Sequence, residues 1–177
     1  MDFVCMWQLV SAIGEIVLRR RGPESLPDST FLAGMLLGVF VLLNLVLLWL
    51  NSGLTVLSLQ NLGAQVILLF AFVFAALTFF KLERRFRQTM SAILGINIVI
   101  LLIYFPIALG GLLLNVDVDA EPFFISMRLA LFFWSVFIEA TILARALSQP
   151  LILGFMVEIL YVLPMLSMSE YFAPEVE

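Results

Sequence analysis

The sequence predicts an all-α integral membrane protein: a polytopic bundle of five transmembrane helices, preceded by an amphipathic helix in the membrane interface. Of 177 residues, 63% are hydrophobic and only 12% charged, with a mean hydropathy of +1.15. A soluble domain averages nearer half apolar and a quarter charged, so this chain has too little polar surface to cover itself in water. The apolar residues also fall into long uncharged runs parted by short polar clusters, the pattern of spanning helices rather than of one oversized core.

The elements follow in order. Within residues 1–30, Gln8, Ser11, Glu15 and Arg19 recur three or four apart, and Met6, Val10, Ile13 and Val17 repeat with the same step on another side. That is a helix with one wet stripe. Its interruption by Asp2, Gln8 and Glu15 favours lying along the surface over crossing. A connector with Gly22, Pro23 and Pro27 ends in the capping residues Asp28, Ser29 and Thr30. The bundle proper is expected over 31–168, with spans at 31–50, 62–80, 90–114, 123–144 and 151–168, and an acidic tail at 169–177. The stretch 51–61 reads as a polar, uncharged connection. Pro106 marks a kink point in the third span, and the fifth carries both Glu158 and Pro164.

Orientation follows from the basic residues, because cytoplasmic loops accumulate Lys and Arg. With the N-terminus inside, Arg19, Arg20, Arg21, Lys81, Arg84, Arg85, Arg87 and Arg145 gather on the cytoplasmic side, leaving only Arg128 towards the outside. Asp117, Asp119, Glu121 and the tail acids then fall outside, and five spans put the C-terminus across the membrane from the N-terminus. The start of the chain lacks the basic n-region and small-residue cleavage site of a signal peptide, so it reads as retained.

No phosphate-binding glycine loop, metal-ligand cluster or nucleophile–base set is present, so neither enzymatic activity nor a cofactor is expected. There is no histidine, and Cys5 is the single cysteine, which excludes an internal disulfide and makes a transition-metal site improbable. Three features remain. The GMLLG segment puts Gly34 and Gly38 one turn apart, suiting close helix packing within the bundle or between two copies, although such spacings also arise by chance. Lys81, Arg84, Arg85 and Arg87 form a basic turn that either recruits anionic lipid or an acidic partner, or simply anchors the loop inside. Asn97, Glu139 and Glu158 fall at one depth, on the order of 10 Å below the cytoplasmic surface. They read as a hydrogen-bonded clasp between helices, or as a proton, cation or head-group site. Arg128 has Asp119 and Glu121 nearby as salt-bridge partners.

Five spans, a cytoplasmic N-terminus, an outward C-terminus and a basic turn leading into the third span resemble the Yip family of Rab-interacting membrane proteins. The resemblance is densest over ERRFRQTMSAILGINIVILLIYFP, Glu83 to Pro106, with its aromatic-and-basic entry, small residues and exit proline. Trp134 to Tyr161 is similar to that family's last hairpin. Eukaryotic members carry a long cytosolic segment where this chain has about thirty residues before its first span. The resemblance therefore implies a bacterial-type relative in the inner membrane. The expected function is that of a non-enzymatic scaffold, assembly or trafficking-type factor working through helix contacts. A small carrier or channel subunit using the Asn97, Glu139 and Glu158 level is the alternative. Expected partners are the lipid bilayer and other membrane proteins or a second copy, with no nucleic acid.

Overall fold

The computed structural model describes residues 11, 13–16, 22–51, 53–114 and 121–171. Expectations for Cys5, Arg19 to Arg21, Asp117, Asp119 and residues 172–177 lie outside the described residues. Among the described residues five long helices make up the bundle: α1 (Thr30–Asn51), α2 (Val56–Phe79), α3 (Phe86–Leu114), α4 (Pro122–Ala146) and α5 (Leu151–Tyr171). Each contains a stretch long and apolar enough to cross a membrane.

Helices α2, α3 and α5 run furthest beyond the expected spans, for local reasons. Residues 51–61 do not form an extended connection. Thr55 and Ser58 make a capping box, and α2 begins at Val56, so Ser58, Gln60 and Asn61 ride on its first turns. Helix α3 begins four residues before the expected span, at Phe86, because a charged side chain ends a hydrophobic run without ending a helix. Pro164 does not stop α5, which continues to Tyr171. Helices α2 and α4 both end in a left-handed residue. Lys81 (φ 59°) and Ser148 (φ 54°) close turns in which Leu82 N–H donates to the Leu77 carbonyl and Gln149 N–H to that of Ala144.

Helix α3 is the central strut, packing on α1, α2 and α4, while α4 and α5 form a close hairpin and α2 leans on α5. In the membrane-length windows of α3 and α4, 39% of residues are buried, against 17% in each of the other three. Burial is uneven along the bundle axis. Residues 89–96 of α3 and 138–144 of α4 are all buried, whereas most of α4 from Phe123 to Trp134 is exposed. The dry core therefore sits at the end carrying the basic turn, around Leu77, Met90, Ile93, Leu94, Ile138 and Ile142. Elsewhere large apolar side chains face outwards, among them Phe31, Trp49, Ile67, Phe79, Phe133 and Ile152. So much exposed hydrocarbon suits a lipid solvent and no aqueous one.

The tightest crossing joins α4 to α5. A β-carbon on Gly154 would strike the Ala140 carbonyl and come within 2.8 Å of the Ala144 β-carbon. Ala140 and Ala144, four apart, offer the shallow surface that admits that backbone. Gly34 and Gly38 are exposed, and among the described residues a β-carbon on either would meet nothing within 4 Å, so the described part of the bundle does not pack on this face. Helix α1 instead buries Leu32 and Leu36, two residues away and hence about 200° around the helix.

At its described residues 13–16 the N-terminal helix packs against the bundle. Ile16 is buried, and Ile13 fills the notch left by Gly95, where a β-carbon would come within 3.1 Å of its Cδ1.

Candidate functional site

Polar side chains from four helices meet in a cavity of about 150 Å³ within the bundle. Asn97 comes from α3, about three turns beyond Phe86; Glu139 stands about two turns before the end of α4, and Glu158 about two turns into α5. All three line the cavity, together with Gln65 of α2, Ser135 of α4 and Tyr161 of α5. Phe40, Leu69, Phe132, Val136 and Val162 supply apolar wall. No lysine or arginine is among the described residues that line it.

The neighbouring packing holds these groups in place. Glu139 follows Ile138 in the fully buried run of α4, and both carboxyl-bearing residues are themselves buried. Asn97 donates from Nδ2 to the Ile93 carbonyl at 3.0 Å, which fixes its rotamer, and it stands within hydrogen-bonding reach of Glu139. The Tyr161 ring packs against Phe72, with centroids 5.4 Å apart, so its phenol is anchored between α5 and α2. Glu139 and Glu158 lie close enough to interact electrostatically.

Depth arithmetic alone places Asn97, Glu139 and Glu158 at one level, and the rotation of the helices turns all three inwards. Three further polar groups belong with them. Ser135 is one turn before Glu139 and Tyr161 three residues after Glu158, so helical spacing puts each on the same face as its carboxyl neighbour. Gln65 carries no comparable signal, because its approach depends on how α2 leans against α5.

The four basic residues of the turn divide into two pairs. Arg85 donates from Nη1 to the Ala146 carbonyl at 2.9 Å and to Ser148 Oγ at 2.7 Å, capping the end of α4. Arg87 pairs with Asp28 at 2.8 Å and donates to Thr30 Oγ1 at 3.1 Å, tying the connector to α3. Lys81 and Arg84 are exposed on the turn. Half of the cluster thus holds the chain together, a role that a run of charges does not reveal. Arg128 is exposed beside Ile125, Leu129, Phe132 and Leu166, which line a groove adjoining the cavity at Phe132. No family model, curated protein or solved structure matches the chain.

Proposed function

We propose that this protein is a non-enzymatic membrane carrier or channel subunit whose cavity takes up a proton or a small cation at Glu139 and Glu158. One observation carries the reading: two carboxyls share a cavity whose wall, among the described residues, includes no basic side chain. Charge in a low-dielectric interior is costly, and two like charges there also repel. With no fixed cation on the wall, the balancing charge comes from protons or from an ion entering the site. The amides, the phenol and the hydroxyl supply neutral ligands for it, and about 150 Å³ leaves space for a few waters at about 30 Å³ each.

The test is flux through reconstituted vesicles, following internal pH and sodium or potassium content. Wild-type protein should carry at least one of these ions above the rate of empty vesicles. Glu139→Gln and Glu158→Gln should lose that flux while unfolding at an unchanged temperature. Wild-type flux equal to empty vesicles for all three ions would sink the proposal.

A scaffold or assembly role is the second reading, favoured by the near-complete burial of the carboxyl residues, 6% exposed for Glu139 and 2% for Glu158. In that case the polar groups clasp helices together. A bacterial inner-membrane location with a cytoplasmic N-terminus belongs to either reading. Its support is the gathering of Lys81, Arg84, Arg85, Arg87 and Arg145 near one end, where the Arg85–Ser148 contact joins the two turns. The Yip-like affiliation is likewise proposed, on residues 83–106 and 134–161.

A further inference from the structure

At the basic end of the bundle, apart from the intramembrane cavity, a cleft of about 380 Å³ opens between the start of α3, the end of α4 and the 3₁₀ turn at Pro23–Ser25. Its polar border comprises Arg85, Arg145, Gln88, Thr89, Ser148 and Glu24. We propose that this cleft is a binding site for a phosphoryl group, as carried by the head group of an anionic phospholipid or by free phosphate.

Several observations converge on that chemistry. Arg85 stands on the turn before α3 and Arg145 on the last turn of α4, and both border the one concavity. Arg85 is held by Nη1 on the Ala146 carbonyl and Ser148 Oγ, which fixes its plane at the cleft edge and leaves its other nitrogens to donate. A guanidinium fixed in this way loses little further entropy on binding an anion, and its fork matches phosphate oxygens. Gln88 is also fixed, donating to the Leu26 carbonyl at 3.1 Å, and that bond ties the connector wall to α3. The cleft lies where the candidate span of α3 begins and that of α4 ends, the level at which a surrounding bilayer would present its phosphates. Among the described residues on its border Glu24 is the one carboxylate, and it opposes an anion there.

The test compares retention of phosphatidylglycerol and phosphatidylcholine by the detergent-purified protein, and then competition by inorganic phosphate. Wild-type protein should retain phosphatidylglycerol in preference. Arg145→Gln should weaken retention about tenfold, the loss of one charge-assisted contact. Glu24→Gln should strengthen it. Arg84→Gln removes the same charge from the neighbouring turn but outside the cleft, and should leave retention unchanged. Displacement of the lipid by phosphate would identify the phosphoryl group as sufficient. Resistance to phosphate would assign the site to the lipid. Equal retention of the two lipids without phosphate binding, or equal losses in Arg145→Gln and Arg84→Gln, would overturn the proposal. The Glu24→Gln result keeps it falsifiable if Arg145→Gln fails to fold.

Discussion

Ser91 is fully buried on α3, and its hydroxyl has no hydrogen-bond partner among the described residues. A buried hydroxyl left unpaired carries its desolvation cost with nothing to offset it, so Ser91→Ala should stabilise the protein by roughly 1 kcal/mol. Thermal unfolding in detergent measures this, and a lowered midpoint would mean that the hydroxyl finds a partner in the membrane. Glu158 is the opposite case, because its carboxyl faces other polar groups. Glu158→Gln keeps a donor and an acceptor in the cavity and should alter stability little. Glu158→Leu leaves those neighbours short of a partner and should cost roughly 1–3 kcal/mol. Equal stability of the Gln and Leu variants would show that no neighbour depends on this position. The three residues first singled out were legible because an amide or a carboxyl within an apolar run stands out against its surroundings. Ser135 and Tyr161 were not, since a hydroxyl or phenol is ordinary in a membrane helix and only its helical offset from a carboxyl marks it.

At the scale of helices, glycine spacing misleads unless the partner surface is considered too. Gly34 and Gly38 form the familiar small-residue pair, yet their face meets no other described part of this chain. Gly154 has no glycine partner on α5, but it lies against Ala140 and Ala144 on α4, so the small pair is on the opposite helix. Gly154→Ala should therefore destabilise the α4–α5 hairpin by roughly 1–3 kcal/mol, the usual range for overpacking. The obstruction is the backbone at Ala140 and Ala144, which cannot swing aside as a side chain would. Gly34→Leu and Gly38→Leu should leave the thermal midpoint of the monomer unaltered. A change in particle size in mild detergent for these two variants would place a second copy on that face. A neutral Gly154→Ala would mean that the hairpin is looser than its geometry indicates. Helix boundaries were less legible than helix identity for a related reason. Hydropathy reports where lipid ends, while capping and left-handed turns at Thr55, Lys81 and Ser148 decide where helices end.

For the whole molecule, the number of crossings was legible because the cost of unsatisfied backbone in lipid forces each apolar run of span length into a helix. The packing order was not, since α3 becomes the strut through side-chain fit that no single run displays. Sidedness can be predicted from both sources together. Arg85 on the turn before α3 bonds Ser148 on the turn after α4, so these two turns occupy one end of the bundle. That end carries Lys81, Arg84, Arg85, Arg87 and Arg145, and a surplus of basic residues is retained in the cytoplasm. Reporters fused after Thr89 and after Ser148 should both read cytoplasmic. Helix α5 then leads away from this side, and a reporter at Glu177 should read extracytoplasmic. Opposite readings at Thr89 and Ser148 would contradict the contact between the turns, and with it the helix arrangement. Extracytoplasmic readings at both would leave the arrangement intact but invert it in the membrane, removing the positive-inside support for a cytoplasmic N-terminus. A cytoplasmic reading at Glu177 alongside cytoplasmic turns would mean that α5 re-enters rather than crosses. The Glu158 site would then lie on a hairpin open to the cytoplasm, and carriage of an ion across the bilayer through it would need another exit.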